Sequence, residues 1–312
     1  MLEVFHLDKE LKKAKIGDVP KLAGPFWIDS MAMTKEEAAI LGDTLSLHPL
    51  TVEDLLHAKT RIKAEQYPDY MLFVFYAISW NKVLDLIELD FLIGKNFILT
   101  NHPMRLKSTD DLKENKERLA ELLKKGPDFM FHHILDLEVD NYLPVLERID
   151  DEIEEIEETV TKKPEPRILT TILGLKRTIV FIKRTAFTQR DKISFIAKGQ
   201  YPIISAKALP YFRDVYDHTI RVSDMIDNYR EAVGNTFDVY MSAVSNSMNE
   251  VMKVLSIIAT IALPLTVISG IFGTNFNNLP GQAAYWGFWV MILFMVLLSL
   301  GMILYFRRKK WF

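Results

Sequence analysis

Residues able to do chemistry are sparse in this sequence, and the clearest set lies in one apolar stretch. Asn249, Met252, Leu255, Ala259, Leu263, Thr266 and Gly270 recur at three- and four-residue steps, and the line runs on to Asn275. Such spacing places them on one face of a helix, with polar groups at both ends and an apolar middle. Around a symmetry axis they would line a pore with amide rings at its mouths. Met252, Leu255 and Leu263 would then be greasy constrictions that gate by dewetting, and small Ala259 would leave a wider chamber between them. In a helical hairpin the same residues have another use: Asn249 and Thr266 hydrogen-bond between helices, while Ala259 and Gly270 allow close packing. Periodicity leaves both readings open.

Other chemistries find little support. The chain has no cysteine, so disulfides, thiolate metal sites and a cysteine nucleophile are excluded, and any metal must be held by oxygen or imidazole. His132, His133 and His218 lack companions at metal-ligand spacing and read as ordinary helix residues. No nucleophile elbow and no phosphate-binding loop is found, so neither an enzyme nor an ATP-driven machine is indicated. With 38 Lys and Arg against 41 Asp and Glu, net charge −3, the chain has no global basic field, and nucleic acid is not an expected partner.

The elements that must position the stripe are written in the charge pattern. From Val254 to Phe306, 53 residues pass without Asp, Glu, Lys, Arg or His. About 20 apolar residues span a bilayer, so this run predicts two membrane helices, roughly 251–272 and 285–306. Between them Gly273 to Gly281 gathers turn-forming and polar residues, Asn277 and Asn278 at their centre. Arg307-Arg308-Lys309-Lys310 follows the second span, which predicts a cytoplasmic C-terminus and, through the hairpin, a cytoplasmic N-terminal part. Met1 to Lys13 is charged and has no apolar core of a signal peptide. Trp286, Trp289 and Trp311 fit interfacial positions. A hairpin that merely tethers a cytoplasmic interaction module is the rival reading to conduction.

The region before the membrane divides in two. Up to about Pro103, Tyr70–Trp80 and Phe91–Thr100 read as strands. Thr34–Leu41 and Thr51–His57 read as helices, Thr51 with Asp54 as a capping-box variant. Beyond Asp128 the pattern is helical. Leu146, Ile149, Ile153, Ile156 and Val160 form an apolar stripe on an acidic helix. From Thr161 to Lys198 ten basic residues face only Glu165 and Asp191, which suggests an antiparallel hairpin of oppositely charged helices. Tyr211 to Leu263 contains no proline and one glycine, Gly234, enough for a rod of about 80 Å. Its apolar stripe Val222, Ile226, Tyr229, Val233, Phe237, Tyr240, Val244, Met248, Val251 and Leu255 has a mean step of about 3.67 residues, the period of a nearly straight bundle. A lone rod cannot bury it.

Three segments carry a family resemblance: Asn249 to Phe276 with its Gly273-Thr274-Asn275 ending, Arg307 to Phe312, and Pro210-Tyr-Phe-Arg-Asp-Val-Tyr-Asp-His-Thr219. Weaker echoes lie at His48–Asp54 and Leu146–Glu152. Together they resemble the CorA-type magnesium transporters over most of the chain. The resemblance implies an α+β membrane protein that assembles as a homopentameric funnel. Its expected parts are a cytoplasmic α/β domain over 1–130, a cytoplasmic antiparallel helical hairpin over 131–207, and a long stalk helix over 208–272 that becomes the first transmembrane helix at about 251. An external selectivity loop over 273–284, a second transmembrane helix over 285–306 and a basic cytoplasmic tail over 307–312 complete it.

The implied function is passive, potential-driven uptake of divalent cations through a central pore in the cell membrane, with Mg2+ foremost and Co2+ and Ni2+ also carried. A double charge falling through 100 mV gains about 4.6 kcal/mol. Gly273, Thr274 and Asn275 correspond to the family's Gly-Met-Asn filter. Gly273 would supply backbone angles closed to other residues, and Asn275 an amide oxygen for a still-hydrated Mg2+, which gives up water reluctantly. The departure at Thr274 bears on selectivity, since relatives with another middle residue include zinc transporters. The resemblance also maps a regulatory metal-binding acid onto Asp214, facing a neighbouring subunit, with Asp85 and Glu88 as candidate partners from the α/β domain, so that cytoplasmic Mg2+ bridging acids across subunits would hold the pore closed.

Overall fold

A computed structural model describes residues 2–22, 24–57, 59–81, 83–162, 164–276, 279–281 and 284–311, with side chains at all but 81, 83, 161 and 162. Asn277 and Asn278 lie outside these residues. Two compact units result: Met1–Glu158 with Pro166–Phe237, and Thr159–Glu165 with Asp238–Phe312.

The first unit begins with strands β1 (Leu2–Leu7) and β2 (Leu11–Ala14), a 3-10 turn over Ile16–Lys21, and β3 (Phe26–Met31). Helices α1 (Lys35–Thr44) and α2 (Pro49–Leu56) precede β4 (Lys63–Gln66), β5 (Tyr70–Asn81), β6 (Val83–Gly94) and β7 (Phe97–His102). The sheet order is β2-β1-β3-β7-β6-β5-β4, with β3 and β7 parallel and every other pair antiparallel.

Both faces of the sheet are covered, so its central strands are apolar in both registers. Tyr70, Leu72 and Val74 join the core that includes Leu41 of α1 and Leu55 of α2. On the other face Phe73 and Phe91 meet Phe131, with ring centres 5.4 and 4.9 Å apart. The run Phe91–Thr100, expected as one strand, is the end of β6, a turn at Lys95-Asn96 and the start of β7. Gly94 permits the turn: a Cβ there would stand 2.1 Å from the Phe97 ring. The capping box belongs to α1, where Thr34 and Glu37 exchange bonds. Thr51 instead lies inside α2, whose cap is His48 with proline at the first turn, and its hydroxyl meets Tyr70 at 2.8 Å.

Helices α3 (Lys107–Glu114), α4 (Lys116–Lys125) and α5 (Pro127–Asp140) follow, so the boundary expected at 130/131 cuts through α5. That helix belongs with the sheet because Met130, Phe131, Ile134 and Leu135 are wholly buried. The hairpin is α6 (Tyr142–Lys162) and α7 (Pro166–Ala197). Tyr142 at the start of α6 meets Gln189 near the end of α7, and Glu152 shares a cleft with Gly174 and Thr178, so the two run antiparallel. The acidic helix buries Leu146, Ile149, Ile153, Ile156 and Val160 as its spacing requires.

One tie fixes this hairpin to the sheet. Strand β4 ends its pairing at Lys63 opposite Val74, so β5 has an open edge beyond that point. There the Tyr76 N–H donates to Gln189 Oε1 at 3.1 Å, and the Tyr76 carbonyl accepts from the Tyr142 hydroxyl at 2.9 Å. Gln189 Nε2 in turn faces that hydroxyl at 3.2 Å. Both orphan backbone groups are thereby satisfied by helices rather than by another strand.

Helix α8 (Leu209–Phe272) is continuous over 64 residues with Pro264 inside it, and α9 (Gly287–Arg308) closes the chain. Within the first unit, α8 buries Val222, Ile226 and Val233. Lys183 of α7 pairs with Asp227, and Thr236 bonds Glu157 of α6 at 2.8 Å. The helix expected over 208–272 is one continuous element, and α8 stays with the first unit through Phe237 because neighbours within the chain cover its stripe. From Met248 onward the stripe is exposed, Val251 at 65% and Leu255 at 58%.

Candidate functional site

Two helices, α8 and α9, are long and apolar enough to cross a membrane. Their apolar side chains point outward: Val254, Ile258, Val267, Leu293, Phe294 and Leu297 are all more than half exposed. An exposed apolar surface of that extent marks a site of contact with a membrane or with other protein.

The two helices distinguish the faces of α8. Ile257 is buried and Ile261, Pro264, Leu265 and Ile268 are half-buried. Leu265 lines an apolar groove with Ile292, Met295, Val296 and Leu300 of α9. At about 100° per residue, Asn249, Met252, Leu255, Ala259, Leu263, Thr266 and Gly270 fall on the opposite side of the helix. All seven are exposed. Thr266 turns its hydroxyl back to the Ala262 carbonyl at 2.9 Å rather than toward another helix.

The end of α8 differs from expectation at Gly273. Its φ is not positive, so backbone freedom is not what the position uses. Instead a Cβ there would sit 3.0 Å from the Ser269 carbonyl oxygen, which its own N–H bonds at 2.9 Å. Glycine allows that close last turn. Thr274 caps it: hydroxyl and N–H both donate to the Ile271 carbonyl, at 2.8 and 3.2 Å. These contacts satisfy carbonyls that a helix end leaves open. Asn275 follows, exposed.

A second site lies in the first unit. Helix α5 carries His132, Asp136 and Asp140 at four-residue steps, and the first turns of α8 carry Asp214 and His218 at the same step. Aromatic packing holds the two helices together, Phe131 against Phe212 at 5.3 Å and Phe129 against Tyr211 at 5.5 Å. His218 Nδ1 then stands 3.0 Å from Asp140 Oδ1 and 3.6 Å from Asp136 Oδ1. Ligand atoms of the three residues all lie within 4.8 Å of one another. Octahedral Mg2+ with ligands at about 2.1 Å sets neighbouring ligands about 3.0 Å apart and opposite ones about 4.2 Å apart.

The local field suits a cation. Burial pushes the Asp136 carboxyl up, Asp140 and Asp214 push it further, and His218 opposes them. Burial lowers His132 to about 4, helped by His133 and opposed by Asp214. Asp136 Oδ1 and His218 Nδ1 are buried without an aligned hydrogen bond, although close to each other. His218 stands within ion-pair distance of both carboxylates, and a cation near the two acids would compensate them.

Asp214 is exposed beside this cluster. Its two candidate partners, expected from a neighbouring copy, differ in exposure. Asp85 is exposed on β6, and Glu88, an odd number of residues along the strand, is on the opposite face and buried. Glu88 accepts from the Thr60 N–H at 3.0 Å, the Lys59 N–H and the Tyr76 hydroxyl, so its carboxylate anchors a loop. His218, read as an ordinary helix residue, comes together with Asp136 and Asp140, which the sequence reading did not single out. Their four-residue spacing on each helix was the available signal.

The family model described as "CorA-like Mg2+ transporter protein" matches residues 23–308. The cobalt/magnesium transport protein CorA of Thermotoga maritima is 35% identical over 325 residues, covering 99% of this chain and 92% of that protein. The zinc transport protein ZntB of Yersinia enterocolitica is 21% identical, covering 92% and 88%. The fold is that of the complete CorA magnesium transporter from Methanocaldococcus jannaschii, with TM-score 0.84, 24% identity, and coverage of 100% of this chain and 99% of that one. A transporter fold over its whole length, a family match from sheet to second membrane helix, and a full-length relative at 35% identity agree: the chain belongs to the CorA-like Mg2+ transporter family.

Proposed function

We propose that copies of this chain form a homopentamer in the cell membrane, termini in the cytoplasm, and pass Mg2+ inward down the membrane potential, with Co2+ and Ni2+ as further substrates. The observation that carries this reading is the direction of one helix face. Asn249, Met252, Leu255, Ala259, Leu263, Thr266 and Gly270 lie opposite the α9-facing side of α8 and are exposed, free to line an axis shared by several copies. Asn275 stands past the helix end, where its amide oxygen can hold a hydrated cation without the cost of stripping water. Neutral oxygens bind loosely enough for the ion to leave, as conduction requires. Met252, Leu255 and Leu263 form the dry constrictions that close the path.

Regulation belongs to the cluster on α5 and α8. Cytoplasmic Mg2+ bound by the carboxylates of Asp136 and Asp140, with Asp214 and His218 beside them, offsets a local excess of negative charge and favours the closed state. When cytoplasmic Mg2+ falls, the uncompensated acids repel and the first turns of α8 loosen.

Thr274 supports one second reading, Zn2+ as substrate. Its hydroxyl caps α8, so a change of residue here alters the rim of the filter. Uptake of Mg2+ and Zn2+ into liposomes, measured side by side, decides between the two. Asn275→Ala should abolish uptake while assembly stays normal. Undiminished uptake in that variant would remove Asn275 from the filter, and an assembled protein that passes neither ion would leave only a membrane-anchored module.

A further inference from the structure

A cavity of about 100 Å3 opens at the carboxyl ends of the parallel strands β3 and β7, beside β6 and the end of α2. Its polar lining is Asp90, Asn101, Glu88, His57 and His102. Asp90 is 3% exposed and Asn101 7% exposed. Asn101 Nδ2 donates to Asp90 Oδ2 at 3.0 Å and to the Leu55 carbonyl at 3.1 Å. That leaves the Oδ1 atoms of both residues buried with no partner.

The surrounding groups are committed elsewhere. Glu88 takes the N–H groups of Lys59 and Thr60, the His102 ring faces Asp29 and the Met104 carbonyl, and His57 Nδ1 lies 2.8 Å from the Glu53 carbonyl. Lys63, the cation that acts on Asp90, is held by Asp54 at 2.6 Å and Glu65 at 3.1 Å. Two buried acceptor oxygens without a hydrogen-bond partner thus belong to side chains that line one polar cavity, beside a second carboxylate. Burial first, then Glu88, pushes the Asp90 carboxyl well up, as expected where negative charge lacks a counter-ion.

We infer that this cavity holds a partly hydrated divalent cation of the Mg2+ type, with Asp90 Oδ1 and Asn101 Oδ1 as its protein ligands. Mg2+ commonly takes one or two protein oxygens and keeps several waters. The volume admits about three waters at about 30 Å3 each, enough for part of that shell. A single water bridging the two oxygens is the competing occupant.

The site lies within the sheet and rests neither on the cluster of α5 and α8 nor on transport. Anomalous diffraction from crystals of the full-length protein soaked in Mn2+ tests it. The expected result is a peak within bonding distance of both Oδ1 atoms that disappears in Asp90→Asn. In detergent, the same variant should bind one Mn2+ fewer per subunit, read from the free-ion paramagnetic resonance signal. Density without anomalous signal, at a Mn2+ concentration that saturates binding in solution, would identify water and overturn the inference. If Asp90→Asn does not fold, the wild-type anomalous map alone decides. A peak here with none at Asp136, Asp140 and His218 would uphold this site and count against the regulatory reading, and the reverse pattern would do the opposite.

Discussion

Asp140 Oδ1 and His218 Nδ1 approach to 3.0 Å between α5 and α8 without the alignment of a hydrogen bond. A close but unbonded pair is poised to share a third partner. Replacing both residues, as Asp140→Asn with His218→Ala, should raise the Mg2+ concentration that protects the protein from protease by at least about tenfold. An unchanged protection curve would assign the pair to packing alone.

Asp136 gives this cluster a pH signature. Burial, then Asp140, raises its folded pKa above the unfolded value, so its contribution to stability is full below the ordinary carboxylate range and is lost as pH rises through the folded value. In chelator, Asp136→Asn should therefore gain in melting temperature relative to wild type as pH rises from about 4 to about 8. With Mg2+ present the carboxylate is compensated and the gain should vanish. Melting curves whose difference stays constant across pH would contradict the assignment.

Gln189 closes the open edge of β5 by accepting from the Tyr76 N–H. Gln189→Leu leaves that buried donor unmet, at a cost of about 1–3 kcal/mol. Hydrogen exchange should show the Tyr76 amide among the first to lose protection, while β6 and β7 stay protected. Equal protection in variant and wild type would mean that water replaces the glutamine.

Leu255 is proposed as one of the dry constrictions. Leu255→Asn adds an amide that holds water, so it should speed Mg2+ uptake into liposomes that already contain saturating Mg2+. Wild type should stay slow under the same condition. If the two behave alike, the barrier lies at another level of the helix.

Several features were legible without coordinates because they depend on near neighbours along the chain. The charge-free run from Val254 to Phe306 announces two spans, since the cost of a charge in hydrocarbon holds in any fold. The spacing of Leu146 to Val160 fixes which face of α6 is inward, and all five residues are buried. Features that depend on geometry at a turn were misread. Gly94-Lys95-Asn96 breaks what looked like one strand, and Gly273 proved to need room for a tight last turn rather than an unusual φ.

By itself the sequence determined the membrane hairpin, the long apolar stripe and the family, because hydropathy, helical period and local motifs are read over a few dozen contiguous residues. Only the tertiary structure decided that Asp136 and Asp140 meet His218, that Gln189 completes the edge of β5, and that Glu88 is buried and anchors a loop. Those outcomes follow from which faces pack, and packing joins residues that no spacing rule connects. The aromatic contact of Phe131 with Phe212 brings α5 and α8 together, and the metal-binding candidates follow from it.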